Sequence, residues 1–323
     1  MSRGALVTIL SLLVALLFAA SLMAGKAWVP LSAWFSADPR WWIIAELRLP
    51  RAILGLGVGA ALGLTGAVLQ GYLRNPLADP AVVGVSSTAA LGAVGSIVLL
   101  SASAPLVIFG SAMLAAGGGM ALLAGLAWRS QSTVAFILAG TVLASLAGAL
   151  TAFLISIAPN PYATAEIIDW IMGSLTDRSF SEVQFAMPFI AAGCAALLFT
   201  GRALDALTLG EDAARSMGMR LERTQMLIVL GAGLAVGASV AVTGVVGFVG
   251  LIVPHLLRPL TGARPSALLL PSALGGAALV LAADSLVRLG PGATEIRLGV
   301  AMALIGTPFF FALLIKMRRS AWI

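Results

Sequence analysis

Apolar residues along this chain come in long runs, separated by short polar breaks, and the runs do not alternate with period two. Runs of about 20 apolar residues are long enough to cross a bilayer as helices, and the lack of alternation argues against a transmembrane barrel. The first run, Ala5–Ala24, follows a single basic residue, Arg3; it resembles a signal peptide but is long enough to span, and it is read as an uncleaved first helix. Further spans are expected at roughly 50–70, 82–101, 105–128, 134–157, 185–201, 226–244, 246–258, 267–288 and 298–315, the eighth being short and interrupted by Pro254. Residues 159–184 are too polar to span. Ile167, Ile168, Ile171, Met172 and Leu175 recur there at helical spacing, which predicts an amphipathic surface helix. Gly55, Gly59 and Gly63 mark one face of the second span and predict close approach by another helix.

Composition agrees: 60% of the 323 residues are hydrophobic and 10% are charged, far from a soluble domain. The fold class is therefore an all-α polytopic membrane protein, read as one transmembrane domain over residues 1–323. Trp28, Trp34, Trp41 and Trp42 sit between the first two runs, as expected for a membrane interface. The net charge of +6 has a topological explanation, because Lys and Arg collect on the cytoplasmic side. Arg3 at one end and Lys316, Arg318 and Arg319 at the other place both termini in the cytoplasm, which needs an even number of spans, and ten fits. Lys26, Arg40, Arg48, Arg51, Arg178, Arg288 and Arg297 then fall on the disfavoured side and require a reason.

One stretch breaks the apolar pattern. Between Arg202 and Arg223 lie Arg202, Asp205, Glu211, Asp212, Arg215, Arg220, Glu222 and Arg223, too many charges for lipid, so this segment must face water and offers a grip for a soluble partner. Enzyme signatures are missing: His255 is the one histidine, Cys194 the one cysteine, and neither a zinc-binding HExxH nor a phosphate-cradling GxxxxGK[ST] occurs. If ATP drives this protein, another chain hydrolyses it. Helix capping or packing is the simpler reading of His255, beside a haem-binding one. Arg48 and Arg51, three apart, share a helix face, with Arg288 at the outer end of the ninth span. They read either as interfacial anchors or as a positive rim for an acidic partner. Asp284, four residues before Arg288, offers an intrahelical pair. The segment Asn75-Pro76-Leu77-Ala78-Asp79-Pro80 is a two-proline break that reads as a turn or as backbone lining a pathway. An ion-coupled secondary transporter would want carboxylates at mid-span, and a membrane enzyme a buried nucleophile–base pair or metal cluster; the sequence offers neither.

The chain resembles the permease subunit of ATP-binding-cassette importers for iron–siderophore complexes, haem and cobalamin, over about residues 46–317. The resemblance is carried by Leu47-Arg-Leu-Pro-Arg51, Gly59-Ala-Ala-Leu with Gly66 and Gln70, Asn75–Pro80, Leu138-Ala-Gly140, Trp170-Ile-Met-Gly-Ser174, Leu209–Gly218, Gly247–Arg258, Ala283-Asp284 with Arg288, and Glu295 with Gly299, Gly306 and Pro308-Phe309. It implies a homodimer in the bacterial inner membrane, two ATPase subunits beneath and a periplasmic binding protein above, with no cofactor on this chain and ATP and magnesium on the partner ATPase. Residues 204–224 match the coupling helices, with Leu209, Gly210, Glu211, Ala214, Arg215 and Gly218 as contacts. Arg48, Arg51 and Arg288 match the basic residues that receive the binding protein. Asn75, Leu77, Ser132 and Thr133 match the cytoplasmic gate. Arg297 departs from the family, which usually has Pro near that position. The substrate class is haem or a ferric siderophore, before cobalamin.

Overall fold

A computed structural model describes residues 2–128, 133–262, 264–290 and 295–320. Among them every regular element is helical. In chain order these are α1 (Arg3–Met23), α2 (Leu49–Tyr72), α3 (Val85–Leu100), α4 (Pro105–Trp128), α5 (Thr133–Ser156), α6 (Pro161–Ile171), α7 (Phe180–Leu198), α8 (Gly201–Leu207), α9 (Glu211–Ser216), α10 (Leu221–Thr243), α11 (Val249–Leu257), α12 (Pro265–Leu289) and α13 (Leu298–Ser320). Among the described residues seven helices are long and apolar enough to cross a membrane: α1, 43–72, α4, α5, α7, α10 and α12. Shorter apolar helices at 85–100, 249–261 and 298–313 stand where the other three spans are expected.

The most enclosed of the long helices is α2, which packs against α12, α7, α11 and α10. Its glycine stripe explains how. A Cβ on Gly59 would lie 2.3 Å from the Gly276 carbonyl oxygen of α12, and one on Gly63 would lie 2.2 Å from that of Ser272. Here backbone meets backbone, as the stripe predicts. The third member differs, for a Cβ on Gly55 would meet the Leu175, Leu281 and Val280 side chains at 3.4, 3.5 and 3.9 Å, ordinary contacts.

Several boundaries differ from the expected ones. The second span starts at Ile43 instead of 50, because a π-helical turn, Ile43–Arg48, runs directly into α2. Pro50 in the first turn of α2 has no N–H to give to a preceding carbonyl and its ring crowds that carbonyl, and a widened turn relieves both problems. Helix α7 begins at Phe180, not 185: Ser179 and Glu182 form a capping box, with the Ser179 N–H donating to the Glu182 carboxylate at 2.9 Å. The charged region divides at 221, where α10 already begins, so Leu221–Thr224 belong to a long helix. The amphipathic helix exists as α6, with Ile167 fully buried and Ile168 exposed, but it ends at Ile171.

Candidate functional site

Two polar ends of the bundle hold the residues singled out by the sequence. At one end the chain leaves α1, forms a small cluster of Trp34, Phe35 and Trp41, and enters α2. Arg48, Arg51 and Arg288 meet here, but as a buried network; relative exposures of 6%, 8% and 3% replace the expected open rim. Arg51 is held by two carboxylates. Its Nε and Nη2 donate to Asp284 at 3.0 and 2.8 Å, and Nη2 also donates to Glu295 at 2.8 Å. Arg288 pairs with Asp284 at 3.1 Å within α12, as its i,i+4 spacing allows, and donates to Ser21 Oγ and the Ala24 carbonyl. Arg48 donates to the carbonyls of Leu22, Met23 and Ala27. Arg48 and Arg288 thus satisfy carbonyls that the C-terminus of α1 leaves without helical partners, where the helix dipole also favours a cation.

These three arginines, with Lys26 and Arg178, line a cavity of about 240 Å³, whose acidic lining residues are Asp177 and Glu295. Cations therefore outnumber carboxylates around it. Burial pushes the Glu295 carboxyl up, but the hydrogen bond and charge of Arg51, the Thr176 hydroxyl and Arg288 outweigh this and hold it below the usual carboxylate range. Sequence reasoning missed Glu295 as the counter-ion and Arg178 as a lining residue; the only signal for Arg178 was its place on the disfavoured side. Arg297, the departure from the family pattern, pairs with Asp169 at 2.8 Å and so ties the start of α13 to α6.

At the other end, α8 and α9 form a short angled pair. Helix α8 buries Ala203, Leu204, Ala206 and Leu207, and α9 is anchored through fully buried Ala214. Between them Leu209 stands 68% exposed. Gly210 has φ +102°, a backbone conformation that side-chain-bearing residues rarely adopt, and it sets the angle between the two helices. Glu211 and Asp212 open α9 and Arg215 closes it, matching the helix dipole, with Arg215 at 3.6 and 3.5 Å from the two acids. Gly218 also has positive φ and lies in the exposed link to α10. Asp205 fastens the pair to α12: its carboxylate accepts from the Ser266 N–H and from Arg264 Nε, both at 2.8 Å, and from the Ser266 hydroxyl.

Asn75 and Leu77 lie beside this end. The Asn75 Oδ1 accepts the Leu77 N–H at 2.9 Å, a side-chain turn that fixes the two-proline break. Buried Gln70 ties the break to α11, donating to the carbonyls of Gly250 at 3.1 Å and Ala78 at 3.4 Å while accepting from Arg258. Ser132 and the Thr133 side chain lie outside the described residues. His255 packs edge-on against Phe309, with ring centroids 6.1 Å apart. Among the described residues no cluster of His, Cys, Asp and Glu is suited to a metal ion.

An all-helical bundle with seven long apolar helices among the described residues, an enclosed central helix, a cationic basin at one end and an angled helix pair at the other fits a multi-pass membrane protein. The profile of the FecCD transport family matches residues 12–316, and the chain belongs to that family. It is 40% identical to the cobalamin import system permease protein BtuC of Halobacterium salinarum, over 84% of this chain and 73% of that protein. It is 35% identical to the hemin transport system permease protein HmuU of Yersinia pestis, over 88% of this chain and 86% of that one. A solved structure described as an inward-facing conformation of a metal-chelate type ABC transporter superimposes with a TM-score of 0.87 at 32% identity, covering 98% of this chain and all of that chain.

Proposed function

We propose that this chain is the permease subunit of an ATP-binding-cassette importer in the bacterial inner membrane, carrying a bulky chelate: haem, a ferric siderophore or cobalamin. It crosses the membrane ten times with both termini in the cytoplasm, pairs with a second copy, sits on two ATPase subunits and receives a periplasmic binding protein. The observation that carries this reading is the α8–α9 pair. It presents Leu209 and a charged surface outward, yet buried Ala214 anchors α9, α9 packs on α8, and the Asp205–Ser266 bonds fix α8 to α12, so a push on the pair is passed to a long helix. Leu209, Gly210, Glu211, Ala214, Arg215 and Gly218 form or shape the surface that fits the ATPase, which supplies ATP and magnesium.

Arg48, Arg51 and Arg288 receive carboxylates of the binding protein from the floor of the cationic basin, and the excess of positive charge there favours such a partner. Asn75 and Leu77, with Ser132 and Thr133, form the cytoplasmic gate. The permease itself makes and breaks no bonds. Ion-coupled transport is disfavoured because Asp284, the buried carboxylate of α12, is fully committed to Arg51 and Arg288 near a helix end. The test is reconstitution with the partner ATPase and binding protein in proteoliposomes, offering haem, a ferric siderophore and cobalamin in turn. Stimulated ATP hydrolysis with uptake of one ligand is expected; failure to assemble with any ATPase would overturn the proposal.

A further inference from the structure

The end of the bundle that carries α8 and α9 also holds a cavity of about 540 Å³, lined in part by residues at the end of the 204–224 stretch, from Gly218 to Thr224, but by none of the other proposed ATPase contacts. Its charged lining residues are Arg202, Arg220 and Arg223. Among the described residues no acid lines it, and none of the three guanidinium groups has an ion pair or hydrogen bond. Three cations facing one space without a counter-ion repel one another, so the site favours an anion. Phe199, 79% exposed, forms part of the wall, and Leu198 beside it is also exposed. Exposed apolar side chains next to unpaired arginines are what the boundary between headgroups and acyl chains requires.

A second, independent feature continues the site. Helix α10 carries Arg223, Leu227, Leu230 and Leu234 at spacings of four, three and four, a single stripe along one face. The first two line the cationic cavity. The last two line an apolar groove of about 240 Å³ between α10 and α4, with Gly117, Met120, Ala124 and Met226. From Arg223 to Leu234 the stripe rises about 16 Å, the depth of one leaflet's hydrocarbon. Small residues of α4 leave the groove open: a Cβ on Gly117 meets nothing within 4 Å.

We infer that this cavity and groove bind one anionic glycerophospholipid, with its phosphodiester on Arg202, Arg220 and Arg223 and an acyl chain along the α4–α10 groove. The inference rests on the bundle being embedded in a bilayer and not on the importer reading. The test uses the full-length permease in detergent, offered equal amounts of phosphatidylglycerol and phosphatidylcholine, with retained lipid quantified by mass spectrometry. Wild-type protein should retain phosphatidylglycerol preferentially, and each Arg→Gln substitution should weaken the preference about fivefold, the effect of one arginine near a lipid surface. The triple Arg→Lys variant should keep most of it. Gly117→Leu, which fills the groove without a backbone clash, should lower phosphatidylglycerol retention while leaving the arginines in place. Parity between the lipids on wild-type protein would overturn the inference. Displacement of phosphatidylglycerol by inorganic phosphate, with Gly117→Leu behaving as wild type, would show a simple phosphate site and overturn the lipid assignment. Loss of a copurifying ATPase in the triple Gln variant, with lipid preference unchanged, would assign the arginines to a protein contact and likewise overturn it.

Discussion

Arg51 and Asp284, 233 positions apart, form a buried two-point ion pair that joins the first turn of α2 to the last turns of α12. Asp284 also serves Arg288, and Arg51 also serves Glu295, so four charges neutralise one another in one place. Removing one partner leaves the others without compensation. Asp284→Ala should destabilise the protein by about 3–5 kcal/mol, and a combined Arg51→Met and Asp284→Leu substitution should recover part of the loss. Thermal unfolding in detergent, comparing the single and double variants, measures this. Equal stability of Asp284→Ala and wild type would show that the pair is not a tertiary clamp.

The docking role of the same arginines needs a variant that removes charge without stranding a carboxylate. Arg51→Gln combined with Glu295→Gln does so, because Asp284 keeps its pair with Arg288. Loss of one close interfacial charge pair is worth about 2 kcal/mol or more, so binding-protein affinity should fall about 30-fold while ATPase copurification stays unchanged. Titration of the binding protein onto nanodisc-embedded complex reads the first quantity, and unaltered affinity would remove Arg51 from the docking surface.

Gly210 gives a sharper test of coupling than a change in charge. Its φ of +102° is strained for any side-chain-bearing residue, yet a Cβ would meet nothing within 4 Å. Gly210→Ala therefore acts through backbone angle alone, at a cost of about 1–3 kcal/mol, and turns α9 relative to α8. The complex should still assemble, while uptake per ATP hydrolysed falls. Normal coupled uptake would sink the role of this turn, and Glu211→Ala gives a second, unstrained probe of the same surface.

The glycine stripe of α2 separates into positions that tolerate a methyl group and positions that do not. Gly63→Ala brings Cβ to within 2.2 Å of a backbone oxygen of α12 and must push the two helices apart, for about 1–3 kcal/mol. Gly55→Ala meets only side chains at van der Waals distance and should be neutral or slightly stabilising through helix propensity. Melting temperatures of the two variants in one detergent decide it; equal shifts would contradict the packing described.

Asp205 predicts the acid response of the α8–α12 link. Burial pushes its carboxyl up, but the Ser266 hydroxyl and N–H and the Arg264 guanidinium hold it below the usual carboxylate range. A carboxyl depressed in the folded state contributes stability above its unfolded pKa and loses it as the pH falls through the folded value. The link should therefore be insensitive to pH from 7 down to about 5 and weaken only in stronger acid. Asp205→Asn, which cannot pair with Arg264, should cost about 1 kcal/mol at neutral pH and remove the acid-dependent part. Hydrogen exchange of α8 across this range checks both statements.

The sequence alone determined the helical membrane class, the outward placement of the charged stretch between Arg202 and Arg223, and the close helix contact at Gly59 and Gly63. Each follows from a local pattern: run length against bilayer thickness, charge density against lipid, and residue size on one helix face. Only the tertiary structure decided what the basic residues of the opposite end do. An arginine next to an apolar run reads alike as an anchor, a docking group or a cap. Asp284 and Glu295 come to Arg51 from the far end of the chain, and the carbonyls that Arg48 caps lie across a loop from it. The early start of the second span was equally hidden, because a π-turn ahead of Pro50 leaves the same apolar periodicity in the sequence as a helix that begins there. Local pattern fixes which segments enter the membrane, whereas the pairing of buried charges depends on distances between segments that no window of sequence contains.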